Sequence, residues 1–568
     1  MTDLWWLGCL ASAAPILAVG LYSIFFFSDS ISPDEAGTLV LATTERPRPR
    51  NGVLVPLSVR MLCIAIPTEL AARLVILMSA ILGIVVTFFI GNLVRDAAVG
   101  MIAALFLTLN PWYWMMSNRI LLDVPATAAC AACVYSLLLF TTTGDARYFA
   151  LACASLIAAV LTKPASVALL PLVLGGGAYR YWRTGATHNP SARLLISAAA
   201  TGVIVAVALL VSRRIAHRVA NVSNLASSAS RQPLGPQLHA FGELLCGYFP
   251  RSGMLVDVAI GGTVVTAAIF AAARAPDIVP HAVLVSWVVC ILGFRMLWHP
   301  AGRPVTRHLL PLLPAIVISV AAAFCEAREL ALSLWVRLFL DGLAASLAVC
   351  SVIVGYRLSF LASFNKPGFR EAADFLRNVD RRASVVCAGS VDQIRYYSGL
   401  ELETRGGVMF IGHDPWSAIM PMTWLSNHPR YDRKAIYLQM DFREAHQPGW
   451  ILQANEGTAG TLANLGFQLV HCVYKEMPFF VMPPNEARNG FLRQLGLQPY
   501  EVTRRGSNVY AAMASDYLYN RDDGRFIERL GFSRAKSIQD YLSFVFRSPS
   551  FIRQPVVLVF RREPRLRG

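Results

Sequence analysis

Runs of about 20 apolar residues recur through the first 356 positions of this chain. A helix that crosses the hydrocarbon core of a membrane needs about that length, and in lipid it must satisfy its own backbone hydrogen bonds. The chain is 55% hydrophobic and only 15% charged, which is more apolar surface than a soluble domain buries. The pattern predicts a polytopic α-helical membrane bundle of about 11 transmembrane helices, near 4–27, 70–93, 98–116, 124–142, 148–162, 165–182, 194–212, 254–273, 280–297, 308–324 and 337–356.

The charged residues change in density near Tyr356–Pro367. Residues 1–356 contain 23 Lys+Arg and 15 Asp+Glu, whereas the much shorter stretch 357–568 contains 28 and 20. Such a shift indicates a domain boundary. We therefore expect a transmembrane domain over 1–356 and a soluble α/β domain over 357–568. In the latter, KPGFREAADFLRNVD and SIQDYLSFVFR have helical spacing, and RASVVCAGS, KAIYLQM and PVVLVFRRE are typical of strands.

The net charge of +16 raises the question of an anionic partner. No basic stretch is interleaved with aromatic residues as in proteins that bind single-stranded nucleic acid, so nucleic acid is not an expected partner. The basic residues lie between the apolar spans instead. This placement favours a phosphate carried on a membrane lipid as the counter-ion.

Eleven spans would place several loops on the same side of the membrane as the C-terminal domain. These loops are 28–69, 117–123, 163–164, 213–253 and 298–307. They carry four groups of ionisable residues: Asp34 with Glu35, Arg119 with Asp123, Lys163, and Arg303 with Arg307. Ionisable groups at membrane depth are energetically costly, so a cluster of them on one face predicts a functional site.

Each group also has a purely structural explanation. Asp34 is placed to cap an interfacial helix, and Arg119 and Asp123, four residues apart, are placed to form a helix-end ion pair. The side chain of Lys163 is long enough to reach the interface, and the two later arginines can anchor a helix end. Their joint occurrence on one face favours a common site.

The order of five short motifs resembles the C-type glycosyltransferase (GT-C) superfamily, which includes protein O-mannosyltransferases and lipid A aminoarabinose transferases. The motifs are SPDEAG, ARLVILMSAILG, NRILLDVP, LTKPASVALLP and RHLLPLLP. The chain departs from the usual pattern at His308, where an aromatic is common, and at Pro164, where glycine is common. The resemblance covers most of 1–356 and implies a GT-C-like bundle.

The resemblance implies a reaction and a role for each site residue. The donor would be a sugar on a polyprenyl phosphate, and the acceptor a hydroxyl on a lipid, glycan or protein, with inversion at the anomeric carbon. Asp34 would act as the base, with Glu35 orienting it or binding the acceptor. The donor phosphate would be held by Arg119, Lys163, Arg303 and Arg307. Asp123 would orient Arg119.

Some members of the superfamily use a divalent metal, for which Asp34, Glu35 and Asp123 are the candidate ligands here; the sequence leaves the cofactor unknown. Lipid-linked sugars are used on the external leaflet. We therefore expect a multi-pass protein of the bacterial inner membrane, embedded among its lipids, with the C-terminal domain periplasmic. This orientation breaks the positive-inside rule, and selection for phosphate binding would explain the violation.

Two other classes of function stay open from the sequence alone. A lipid or sugar transporter or flippase also buries charges between helices, although it often has two related halves with broken helices, which are not evident here. A non-catalytic polytopic scaffold is the other alternative. The Trp-Trp-Asp-Tyr-Gly signature of oligosaccharyltransferases is absent from the sequence, which argues against transfer of whole oligosaccharides to asparagine.

Overall fold

The computed structural model describes most of the membrane region and parts of the C-terminal region. The described residues are 31, 33–43, 52–183, 196–204, 244–245, 254–298, 306–331, 333–363, 368–378, 384–388, 391–398, 410–411, 435–441, 456–479, 486–504 and 550–564, with Ala14 and Leu17. They divide into two compact units by contacts. One comprises 1–26 and 41–359, and the other comprises 27–40 and 360–568.

The membrane unit is built from helices. They are α1 (Pro33–Thr43, shared with the second unit), α2 (Leu54–Leu62), α3 (Thr68–Val94), α4 (Ala97–Leu109), α5 (Pro111–Ser117), α6 (Asp123–Thr143), α7 (Ala146–Thr162), α8 (Leu170–Arg183), α9 (Met254–Arg274), α10 (Ile278–Trp298), α11 (Leu313–Leu330) and α12 (Leu334–Ser363). Two 3₁₀ helices, Pro164–Leu169 and Thr306–Leu312, precede α8 and α11.

Among the residues that the structure describes, five helical segments are long and apolar enough to cross a membrane. They are 68–94, 123–143, 278–295, 307–330 and 334–355, and a sixth is obtained when α4 and α5, which meet at a 66° bend, are counted as one span. The sequence predicted about eleven. The span predicted at 4–27 and most of that at 194–212 lie outside the described residues. The spans predicted at 148–162 and 165–182 form the shorter helices α7 and α8, because Pro164 interrupts them.

Small residues let the membrane helices approach closely. A Cβ atom on Gly91, near the end of α3, would lie 2.6 Å from the Cα of Gly100 in α4, so this crossing requires glycine. Buried alanines continue the contact along α3 and α4, as at Ala80 and Ala103. The close crossing joins the end of α3 to the start of α4.

The second unit contains a mixed six-stranded sheet. Its elements are α13 (Phe369–Arg377), β1 (Ser384–Ala388), α14 (Val391–Ser398), β2 (Phe410–Ile411), β3 (Ile436–Asp441), α15 (Glu456–Asn464), β4 (Phe467–Phe479), α16 (Glu486–Gln494), β5 (Glu501–Arg504) and β6 (Ser550–Arg562). The strand order is β2-β1-β3-β6-β4, with β5 also paired to β6. The first three strands are parallel, and β6 runs antiparallel to its neighbours.

Helices cover both faces of this sheet. Ile436 and Leu438 of β3 belong to the same core cluster as Leu462 of α15 and Phe491 of α16. Successive side chains of a strand point to opposite faces, and Tyr437 between them contacts Phe375 of α13. The segments predicted as strands contain β1, β3 and much of β6. The helix predicted at SIQDYLSFVFR lies outside the described residues.

Candidate active site

Arg119 lies in a short turn between α5 and α6. Asn110 fixes the start of α5, because its side-chain oxygen accepts hydrogen bonds from the backbone N–H groups of Trp112 and Tyr113 at 3.0 and 3.1 Å. After α5 ends, the Arg119 N–H donates to the Met116 carbonyl at 3.2 Å. Arg119 is only 5% exposed. The local chain therefore holds a buried guanidinium at the end of the bent pair of helices.

Asp123 and Lys163 form a buried ion pair at the same end of the bundle. Asp123 is the first residue of α6, and Lys163 follows the last residue of α7. The Lys163 ammonium donates a hydrogen bond to an Asp123 carboxylate oxygen. Asp123 is 4% exposed, so the pair is largely removed from water.

The chain holds Lys163 at its position through the proline that follows it. A residue before proline is forced out of the helical region, and Lys163 is extended with φ −145° and ψ 108°. Its N–H still donates to the Ala159 carbonyl at 2.7 Å, and its own carbonyl accepts from Ser166 N–H at 2.9 Å. Lys163 thus sits at a defined break between two helices.

Two arginines approach Lys163 from other helices. Arg307 is the second residue of the 3₁₀ helix before α11, and Arg295 lies in the last turn of α10. Both interact electrostatically with Lys163, and Arg295 also interacts with Asp123. Arg295 is 6% exposed, and its Nη1 lies 2.9 Å from Nδ1 of His308. We call Asp123, Lys163, Arg295 and Arg307 the cationic cluster.

The cationic cluster brings three cations close to one another. Lys163 is paired with Asp123, and Arg295 and Arg307 both interact electrostatically with Lys163. Like charges repel, so holding these cations together is costly. Arginine and lysine side chains at the end of apolar helices are the groups that bind phosphate, arginine in bidentate geometry. The cluster is therefore suited to hold an anion.

The predicted site residues fall into four sets, of which Arg119, in the turn between α5 and α6, forms one by itself. Lys163, Asp123 and Arg307 are brought together by the structure. Asp34 and Glu35 lie in the first turn of α1, within the second unit; Glu35 is 1% exposed, whereas the Asp34 side chain lies outside what the structure describes. Arg303 lies outside the described residues altogether. Asp123 was predicted to orient Arg119, and the ion pair described for it is with Lys163.

Three residues near the site were missed from the sequence. Arg295 was counted as part of an apolar span, although a charge in the last turn of such a span is itself a signal of function. His308 was noted only as a departure from the motif, and it contacts Arg295. Arg73, in the motif ARLVILMSAILG, donates through Nη1 to the Asn118 carbonyl at 3.3 Å and so steadies the turn that carries Arg119.

No group of three or more His, Cys, Asp or Glu side chains that could hold a metal ion occurs among the residues that the structure describes. Asp123, one of the three candidate ligands, is bound to Lys163. A cation beside a carboxylate competes with a metal ion for the same oxygens. The described part of the site thus favours an anion over a metal at Asp123.

Three solved structures are similar to this chain. The oligosaccharyltransferase of Archaeoglobus fulgidus in the apo form aligns with a TM-score of 0.57 and 10% identity, over 98% of this chain and 88% of that chain. AglB from the same organism, in complex with an inhibitory peptide and a dolichol-phosphate, aligns at 0.51 and 11%, over 97% and 88%. ArnT from Cupriavidus metallidurans in the apo state aligns at 0.50 and 15%, over 83% and 97%.

These similarities define the class of the protein as a multi-pass membrane protein with the fold of the GT-C superfamily. The chain is similar both to ArnT, a lipid A aminoarabinose transferase, and to AglB, an oligosaccharyltransferase. The resemblance inferred from the five motifs is confirmed. No protein-family model and no curated protein sequence matches the chain. Identities of 10–15% establish the fold, and the reaction has to be argued from the site.

Proposed function

We propose that this protein transfers a sugar from a polyprenyl-phosphate donor to a hydroxyl acceptor at the external face of the membrane, with inversion at the anomeric carbon. The observation that carries the proposal is the cationic cluster, in which Lys163 pairs with Asp123 and interacts electrostatically with Arg295 and Arg307. A phosphate seated there would be attracted by all three cations. Arg119 and Arg303 are proposed as further ligands of that phosphate.

The fold supports a lipid phosphate over a soluble one. The cluster lies at the ends of apolar helices that are long enough to cross a membrane, so a headgroup can reach it while its lipid tail stays in the bilayer. The AglB structure with the same fold is a complex with a dolichol-phosphate. For this chain we propose undecaprenyl or decaprenyl phosphate as the carrier, in the inner membrane of a bacterium.

The proposed reaction is a single displacement. The acceptor oxygen forms a bond to the anomeric carbon while the bond from that carbon to the phosphate oxygen breaks. The electron pair of the broken bond stays on the polyprenyl phosphate, and the acceptor proton passes to the Asp34 carboxylate. Lys163, Arg295 and Arg307 stabilise the charge that develops on the departing phosphate. Glu35 orients Asp34 or binds the acceptor.

The C-terminal domain, proposed to be periplasmic, would choose the acceptor, which is a hydroxyl on a lipid, a glycan or a protein.

A divalent metal is a further proposed participant, since an AglB structure of the same fold was obtained with Zn and sulfate. Treatment of the purified enzyme with a chelator tests this. Loss of turnover that returns with one divalent metal establishes a metal requirement, and unchanged turnover removes it.

The experiment for the proposed function measures binding and turnover of radiolabelled polyprenyl-phosphate sugars by the purified protein. We expect the wild type to bind the donor and to transfer or slowly hydrolyse its sugar. Asp34→Asn should retain binding and lose turnover, because the amide cannot accept the acceptor proton. The matched control is Arg328→Gln, which removes an exposed cation from the far end of α11.

Absence of donor binding by the wild type would remove the main support for the transferase. Binding and translocation of an intact lipid-linked sugar, with no cleavage, would point to the flippase alternative. Full turnover by Asp34→Asn would leave the displacement in place and overturn the assignment of the base.

A further inference from the structure

The segment that leads into α1 is fixed to the C-terminal domain by one fully buried glutamine. The Gln393 side-chain amide donates a hydrogen bond to the backbone carbonyl of Ile31. Gln393 is 0% exposed and Ile31 is 1% exposed. The two residues are 362 positions apart in the chain. This bond therefore joins the C-terminal domain to a point three residues before Asp34.

Gln393 itself lies on a helix that its neighbours hold firmly. The helix α14 packs against α13, and the Arg377 guanidinium of α13 donates to the Tyr397 carbonyl in the last turn of α14. A cation at the end of a helix satisfies a carbonyl that has no partner within the helix. Arg370, also in α13, lies over the Tyr397 ring at 5.1 Å. The donor that reaches Ile31 is thus attached to a rigid element.

The start of α1 is buried within the same unit. Residues 27–40 group with the C-terminal residues rather than with the membrane helices that precede and follow them in the chain. Glu35, Ala36 and Leu39 are each at most 1% exposed. The acidic pair is therefore carried on a helix that is packed into the second unit.

The other end of this first loop is fixed within the membrane unit. The Val53 N–H donates to the Leu161 carbonyl at 2.7 Å, two residues before Lys163. Gly52 allows this approach, since a Cβ there would lie 1.7 Å from the Thr162 carbonyl oxygen.

We propose that Gln393 is a positioning residue for the acidic pair, through which the C-terminal domain sets the Asp34 carboxylate for proton transfer; this rests on the proposed function. A base acts only within hydrogen-bond reach of the proton it takes, and a small displacement of a reacting group costs rate. Gln393 determines where α1 begins, and so affects the chemical step. The donor phosphate is held by other residues, so its affinity is independent of Gln393.

The first test compares Gln393→Met with the wild type in the full-length protein. Methionine keeps the length of the side chain and removes the donor. We expect kcat to fall about 10- to 100-fold, with the dissociation constant of undecaprenyl phosphate unchanged. Hydrogen exchange should accelerate in peptides from 27–40 and stay unchanged in 550–562. The control is Gln554→Met, which alters another fully buried glutamine of the same domain.

The second test is Gln393→Glu, which keeps the shape of the side chain. An ionised carboxylate opposes the Ile31 carbonyl, whereas a protonated one donates to it. The ratio of the kcat of this variant to that of the wild type should therefore rise as the pH falls from 8 to 5, and the same ratio for Gln393→Met should stay flat. A purely structural role would not give this difference.

Unchanged kcat and unchanged exchange in Gln393→Met would overturn the proposal, as would a flat ratio in Gln393→Glu. If Gln554→Met loses as much kcat as Gln393→Met, the loss reflects the stability of the domain, and the proposal for Gln393 is overturned. If the wild type turns over no polyprenyl-phosphate sugar, the proposed function fails. Hydrogen exchange in peptides from 27–40, compared between the wild type and Gln393→Met, then decides whether Gln393 holds α1.

Discussion

The two ends of α11 differ in the charged contacts that the described residues make. At its C-terminal end, Arg95 pairs with Glu326 at 3.3 Å and with Glu329 at 2.5 Å. At its N-terminal end, Arg307 approaches Lys163, which is paired with Asp123. The C-terminal end joins cations to carboxylates, and we call it the balanced end; at the N-terminal end, the described contacts also bring cations together.

The difference separates charges that serve the fold from charges that serve a ligand. Ion pairs that neutralise each other, such as Arg328 with Asp341 at 3.0 Å, need nothing further to be stable. Cations that are held together repel one another, and a bound anion would offset that cost. We therefore expect the ligand site at the end of α11 where Lys163, Arg295 and Arg307 come together.

The largest effect is expected from removing the central cation of the cluster. Lys163→Met should lower turnover of the donor by about 100- to 1000-fold, since one preorganised charge on a developing anion contributes that much. Arg328→Gln, at the balanced end, should leave turnover within about twofold. Steady-state kinetics of both variants measures the two losses of turnover. Equal losses in Lys163→Met and Arg328→Gln would show that the two ends of α11 do not differ in function.

A smaller effect is expected from removing the carboxylate of the cluster. Asp123→Asn leaves Lys163 without its buried partner and should lower stability by about 3 kcal/mol. Added undecaprenyl phosphate should stabilise Asp123→Asn by more than it stabilises the wild type, because the phosphate replaces the missing negative charge. Thermal unfolding with and without the lipid measures this.

The matched variant for that experiment is Glu326→Gln, which removes a carboxylate from the balanced end. The stability that Glu326→Gln loses relative to the wild type should be the same with and without undecaprenyl phosphate. Rescue of both variants by undecaprenyl phosphate would mean that the lipid stabilises the bundle generally, and that the cluster is not its binding site.

The smallest effect is expected at two glycines beside the cluster. Gly52→Ala places a Cβ against the Thr162 carbonyl, so it should cost about 1–3 kcal/mol and lower activity by displacing Lys163. Gly293→Ala, two residues before Arg295, meets nothing within 4 Å and should change stability by under about 1 kcal/mol. Thermal unfolding and turnover distinguish the two. If Gly52→Ala changes neither stability nor turnover, the chain at Gly52 can move without displacing Lys163.

Local patterns in the sequence were enough to locate Lys163. The Lys-Pro pair between two apolar runs indicates a residue forced out of the helix at its end, and the structure has Lys163 extended there. The helical spacing of Phe369, Ala372, Ala373 and Leu376 likewise corresponds to the buried face of α13. Such features depend on residues close together in the chain.

The partner of Asp123 depends on residues far apart in the chain. Arg119 and Asp123 are four apart, but α6 begins at Asp123 and Arg119 lies in the preceding turn, so the spacing rule for a continuous helix does not apply. Lys163 is 40 residues away and meets Asp123 because α6 and α7 pack together. The hydrogen bond from Gln393 to Ile31 depends on tertiary structure in the same way.

The long helix α12 makes the protein sensitive to the thickness of its bilayer. Its 30 residues extend about 45 Å, against about 30 Å for a typical hydrocarbon core. Its membrane-crossing window is only 11% buried in the protein, and Trp335 near its start is 79% exposed. A helix with so few protein neighbours adjusts its tilt to the acyl chains around it. Because α12 is the last helix before the C-terminal domain, we expect the chain length of the surrounding lipids to influence how that domain is attached to the membrane.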